Sequence, residues 1–288
     1  MFHALFLVVL AAMGVHCPIG NSADLIQDLP AGQMDWTNGT LTATGIAQPR
    51  GKKSVNSVDS QKLLSSAKVT AQQNLLLSVK QLRVSSIARV ETLAGSTPLF
   101  MAKIQELIKK APVVNQSYLS DGTVTITLKF SLTGAFYQWV MPRGVEQIDP
   151  VMPVNTSSRA DKETPDESIW TGLIVDATGL ALNPAMVPQI IDEHGNRIYG
   201  PAFISRDFAV RWGGCGYMTD MDRPAMHGRT GPHPLVVRGI RVNGPEQTNI
   251  VISSVDASLI HAVAEHVSFM REGRVIVLID EWTEERTN

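Results

Sequence analysis

The residues best equipped for chemistry lie in the loop from Trp212 to Pro234, where Cys215, Asp220, Asp222, His227 and His233 stand among glycines and prolines. Thiol, imidazole and carboxylate are metal-ligand types, so the Cys215 to His233 loop could serve a metal-binding protein or a cell-wall enzyme. The spacing argues for something plainer. There is no Cys-x-x-Cys pair and no two histidines four residues apart, so an ordered surface excursion accounts for the same residues. His261 and His266 are five residues apart, which at helical pitch turns them away from each other by about 140°. Gly213, Gly214 and Gly216 are not followed by the Gly-Lys-Ser or Gly-Lys-Thr of a phosphate-cradling loop. No Gly-x-Ser-x-Gly elbow presents a serine nucleophile. Asp176, Asp192 and Glu193 could form the paired carboxylates of a glycan-cleaving enzyme. Asp192 and Glu193 precede His194-Gly195-Asn196, however, a composition suited to a turn. No catalytic, cofactor-binding or metal residue is assigned on these grounds. The expectation is a protein that is not an enzyme and needs no cofactor.

The elements that would position such groups fall into two modules. In the first, Gly39 to Ala47 alternates as a half-buried strand does. From a cap at Asp59 or Ser60, Leu64, Ala67, Ala71, Leu75, Val79 and Leu82 recur at three- and four-residue steps and define one helix face. Small Ala67 and Ala71 would let that helix sit close to a sheet. Val84 to Leu93 reads as a strand. A second helix starts at Thr97 and Pro98, ends at Lys109 and Lys110 before Pro112, and buries Leu99, Ile104, Leu107, Ile108 and Ala111. Val113 to Leu119 and Val124 to Leu132 form a hairpin across Asp121-Gly122, with Val124, Ile126, Leu128, Phe130 and Leu132 on one face and a Thr-rich opposite face.

Pro142, Pro150, Pro153, Pro165 and the polar run Asn155 to Ser168 break both periodicities, so 136–168 reads as a linker. The aromatic front end, Phe136 to Val140, calls for packing against a domain or a partner. A second module runs over 169–283. Strands are expected near Leu173, at Leu235 to Val242, at Asn249 to Ser253 and at Val275 to Ile279, with a hairpin over Gln189 to Tyr199. Ser253 with Asp256 resembles a capping box for a helix that buries Ile260, Val263, Ala264 and Val267. The fold class is α+β: an N-terminal β-α-β-α-β-β helix-on-sheet domain over 35–135, followed by a second α+β domain.

Residues 1–23 carry no Lys, Arg, Asp or Glu, and Phe2 to Val15 is almost wholly apolar, the pattern of a secretory signal peptide. Cys17 leaves lipidation open, although His16 fits a lipobox poorly. Beyond the leader, the uncharged stretch Phe130 to Pro142 is far short of the roughly 20 residues a spanning helix needs. The 25 basic and 27 acidic residues give a net charge of −2, which attracts no nucleic acid, and Arg50, Lys52 and Lys53 read as a solvated loop. With Cys17 removed, only Cys215 remains, so packed cores rather than a disulfide must hold the exported chain.

The stretches Ser60 to Leu82, Thr97 to Lys110 and Tyr118-Leu119-Ser120-Asp121-Gly122-Thr123-Val124 resemble two related domains. One is that of small bacterial outer-membrane lipoproteins of the twenty-kilodalton surface-antigen type, and the other is the N-terminal domain of flagellar assembly protein T. The second module, including Thr171 to Ala177 and Asp192 to Gly200, looks like the C-terminal part of exported bacterial proteins that share this first domain. The resemblance implies a compact helix-on-sheet module without catalysis. It also implies a periplasmic or outer-membrane location and a role in envelope or flagellar assembly. The partners it implies are envelope or flagellar basal-body proteins, with self-association open.

Overall fold

The computed structural model describes residues 24–49, 57–141, 170–221, 228–261 and 264–282. The leader with Cys17, the Arg50 to Lys53 cluster, the linker from Pro142 onward, Asp222, His227 and Val263 lie outside the described residues.

In the front half, β1 (Ile26–Leu29), β2 (Gly32–Asp35) and β3 (Thr40–Ala47) lead into α1 (Ser57–Gln81). After these come β4 (Arg83–Ser85), β5 (Ala88–Arg89), α2 (Val90–Ser96), α3 (Pro98–Lys109), β6 (Val113–Tyr118), β7 (Val124–Ser131) and α4 (Ala135–Val140). Five strands make an antiparallel sheet in the order β1-β2-β3-β7-β6. Alternation puts Leu41, Ala43 and Ala47 of β3 with Val124, Ile126, Leu128 and Phe130 of β7 on the buried face. The α1 residues Ala67, Ala71, Leu75 and Val79 cover them. Gly45 is what allows the close approach: a Cβ there would lie 2.1 Å from the Ala67 carbonyl oxygen and 2.2 Å from the Ala71 nitrogen. The opposite face is open, and its hydroxyls pair across strands, as in Thr44 to Thr127 at 2.8 Å.

The hairpin follows the expected register, with Tyr118 opposite Val124 and Gly122 at φ +83°. The Asp121 carboxylate accepts from the Thr123 amide at 2.8 Å and closes the turn. Three expectations need correction. Val84 to Leu93 is not a sheet strand: it splits into the two-stranded β4–β5 finger and α2. Alternation cannot tell a long strand from a tight hairpin followed by a short helix, and Ile87, 78% exposed, marks the finger's tip. Phe100 rather than Leu99 joins Ile104 and Ile108 in the α3 stripe, leaving Leu99 exposed. The sheet also gains the β1–β2 hairpin at its edge.

In the back half, β8 (Gly172–Asp176), β9 (Ile190–Ile191), β10 (Arg197–Tyr199) and α5 (Arg206–Trp212) come first. They are followed by β11 (Gly216–Met218), β12 (Pro234–Asn243), β13 (Asn249–Ile252), α6 (Ser254–His261), α7 (Ala264–Arg271) and β14 (Val275–Leu278). Seven of these strands form a mixed sheet in the order β10-β9-β13-β12-β8-β14-β11. β12, β8, β14 and β11 run parallel to one another. Both faces of β8 and β14 are buried: Leu173, Val175, Val275 and Val277 enter the main core, while Ile174, Ile276 and Leu278, with Met218 of β11, form a separate cluster. Half of the expected capping box is present at α6: Ser253 Oγ accepts from the Asp256 amide at 3.0 Å, while the Asp256 carboxylate accepts from the Ser253 hydroxyl at 2.8 Å in place of the Ser253 backbone N–H. The protein is α+β in both halves.

The halves are closely joined. α4, at the front of what composition reads as a linker, buries Phe136, Tyr137 and Val140. Phe136 meets Phe130 edge to face, with ring centroids 5.0 Å apart. The β4–β5 finger reaches into the back half: Arg83 and Val84 carbonyls accept from the Met186 and Val187 amides, and the Ser86 carbonyl accepts from the Glu246 amide. Arg83 and Arg89 both donate to the Glu246 carboxylate, at 3.1 and 2.7 Å. One hydrophobic cluster therefore contains Leu128 and Leu75 of the front half together with Val175 and Ile250 of the back.

Candidate functional site

A cleft of about 370 Å³ opens where the two halves meet. The β2–β3 turn supplies Trp36 to Gly39, the end of β7 supplies Leu132 and Thr133, and α4 supplies Tyr137. Ala185 and Met186 close another side, and the segment from Arg211 to Tyr217 with Arg229 forms the far wall.

That wall is held by hydrogen bonds to its backbone carbonyls. Arg229 Nη1 donates to the Trp212 carbonyl at 2.9 Å, Nη2 to Gly213 at 3.1 Å and Nε to Gly273 at 2.8 Å. Tyr199 Oη donates to the Gly214 carbonyl at 2.5 Å, Tyr137 to Met186 at 3.1 Å and Tyr217 to Ala185 at 2.9 Å. Burial pushes all three phenols above their ordinary values, so they act as fixed donors. Gly214 is required by contact, since a Cβ would sit 2.6 Å from both the Met186 carbonyl oxygen and the Tyr137 hydroxyl. Trp36 packs edge-on against Tyr217, with centroids 5.8 Å apart.

Cys215 lies in this wall as a half-buried free thiol. Desolvation pushes it up to about 11, so it is protonated at neutral pH and a poor nucleophile. His233 immediately precedes β12, its backbone paired in both directions with Thr171, and is not among the residues lining the cleft. Among the described residues, no three His, Cys, Asp or Glu side chains gather as a metal set. The other carboxylates from the sequence hold local structure. Asp192 accepts from the amides of His194 and Asn196 and from the Asn196 side chain, which holds its carboxyl below the usual range. Glu193 accepts from the Ser254 amide at the start of α6, which likewise lowers its carboxyl. Asp176 accepts from Thr178 and is paired with Arg238.

The sequence picked out Cys215 and the glycine loop but not Trp36, Arg211 or Arg229. No spacing rule links residues this far apart in the chain. Three donors aimed at consecutive carbonyls become recognisable only once the chain is folded.

Fold and site together define a two-module α+β protein with an inter-module cleft. Residues 172–281 match the family described as the second domain of Treponema pallidum Tp0624, so the back half is similar to that domain. No curated protein matches the chain. Among the described residues, no helix is long and apolar enough to cross a membrane.

Proposed function

We propose that this chain is an exported, non-enzymatic protein of the bacterial envelope, a periplasmic or outer-membrane-associated assembly module that acts through protein contact, with a flagellar setting as one form of that role. The observation that carries this reading is β6. It is one of the two edges of the front sheet, it carries no charged residue from Val113 to Leu119, and Val113, Val114, Tyr118 and Leu119 are all exposed. Such an edge offers unpaired backbone N–H and C=O groups to an incoming strand. Natural edges are usually protected by charge or proline within the strand, and β6 has neither. The occupant this surface fits is an extended, uncharged segment of an envelope protein, added to the sheet beside β6. Similarity of the first module to envelope lipoproteins and flagellar assembly protein T, together with the leader pattern, supports the location.

The test places a photo-crosslinking residue at Asn115 on β6 and, separately, at exposed Gln73 on α1, in cells expressing the full chain. Asn115 should capture a discrete envelope protein that Gln73 does not. Equal capture from both positions, or recovery of the chain in the cytosol, would overturn the reading.

A further inference from the structure

We infer that the cleft between the two halves is a binding site for a small organic anion with an apolar or aromatic body. The inference goes beyond the envelope role and stands whether or not β6 pairs with a partner strand.

Charge is the first ground. Arg211 and Arg229 line the cleft, and among the described residues no Asp or Glu does. Among the described residues neither guanidinium has a carboxylate within ion-pair reach: Arg229 is bonded to the three carbonyls, and Arg211 lies over the Phe208 ring, 5.9 Å from its central carbon. Asp24 and Asp35, behind the opposite wall, accept from Asn38 and are not among the residues lining the cleft. Two cations lining one concavity attract an anion; Arg229 adds charge while its donors hold the wall, and the fork of Arg211, which makes no hydrogen bond among the described residues, is the one free to meet a carboxylate.

Shape and rigidity are the second ground. The volume is that of about a dozen waters, at the lower end of small-molecule sites. Trp36, Leu132, Met186 and Trp212 supply apolar surface, and Trp212 is 54% exposed at the edge of the cleft. The wall between is fixed before any ligand arrives, because Arg229 and Tyr199 already hold the carbonyls of Trp212, Gly213 and Gly214. A rigid wall lowers the ordering cost of binding.

The test uses three probes with one carbon frame of about a dozen non-hydrogen atoms: phenylbutyrate, its neutral amide and phenylbutylamine. Binding to the purified full-length protein is followed by calorimetry and by tryptophan fluorescence. The carboxylate should bind and shift the fluorescence, the amide should bind about tenfold or more weakly, and the amine should give no signal. Arg211→Gln should weaken the carboxylate about tenfold while leaving the melting temperature unchanged, because Arg211 makes no hydrogen bond among the described residues. Equal affinity for all three probes, an unchanged carboxylate affinity in Arg211→Gln, or no response to the carboxylate at about 10 mM would each overturn the inference.

Discussion

Replacing Gly45 by alanine tests how α1 sits on the front sheet. The added Cβ would lie 2.1 Å from the Ala67 carbonyl oxygen, 2.2 Å from the Ala71 nitrogen and 2.9 Å from the Ala71 Cα, whereas ordinary contact begins near 3.4 Å. All three neighbours are helix backbone, so no rotamer change can relieve the clash. The helix must retreat by about 1.3 Å, and a gap of that size forfeits roughly half the dispersion well of each contact it opens. Ala67, Ala71, Leu75 and Val79, all fully buried, lose that contact together. We expect a destabilisation of about 3 kcal/mol, at the upper end of overpacking costs, and hence a melting temperature lower by about 6–12 °C. The control is Gly95→Ala in α2, where nothing lies within 4 Å of the new Cβ. Removing backbone freedom at a helical position there should stabilise by about 0.5–1 kcal/mol. The same substitution should therefore have opposite signs at the two sites when followed by calorimetry and far-ultraviolet circular dichroism. A Gly45→Ala melt within about 1 °C of the parent would refute the close approach of helix and sheet.

Leu128→Asp places a carboxylate on the fully buried face of β7 and should cost about 3 kcal/mol or more in a urea titration; an unchanged midpoint would mean that the hairpin register is wrong. Glu246→Gln removes the shared acceptor of Arg83 and Arg89. The pairing is partly screened because Arg89 is 40% exposed, so the loss at neutral pH should be about 1–2 kcal/mol. The hydrogen bond from Arg89 is the main cause of the lowered Glu246 carboxyl. Its stabilisation is present above the unfolded carboxyl value of about 4.3 and is lost as pH falls through the lower folded value, so parent and variant midpoints should converge in acid. Cys215, pushed up to about 11, should react with iodoacetamide at pH 8 at least about a hundredfold more slowly in the folded protein than in urea; comparable rates would contradict its desolvation.

The hairpin β6–β7 and the stripe of α1 were readable because one face of each packs against a single local partner, so the periodicity survives in the sequence. The cap at Ser253 is short-range chemistry and is equally visible. The β1–β2 hairpin leaves no such signature because its buried residues include Gln27, whose side chain accepts from the Trp36 indole at 2.9 Å. A polar residue inside a core breaks the apolar alternation that marks a strand. The β4–β5 finger is illegible for another reason: its backbone partners are Met186, Val187 and Glu246, about a hundred residues or more away, and no local pattern encodes them. The cleft fell outside the sequence reading on the same grounds, since it exists only where the two halves touch.

Because the finger's carbonyls and its two arginines are matched to amides and a carboxylate on the other side, the halves are poor candidates for free exchange. A recombinant joining this front half to an unrelated back half would strand two cations and several acceptors at the seam. Substitutions at Arg83, Arg89 and Glu246 should accordingly be inherited together, as a lock and its key are recut as a set.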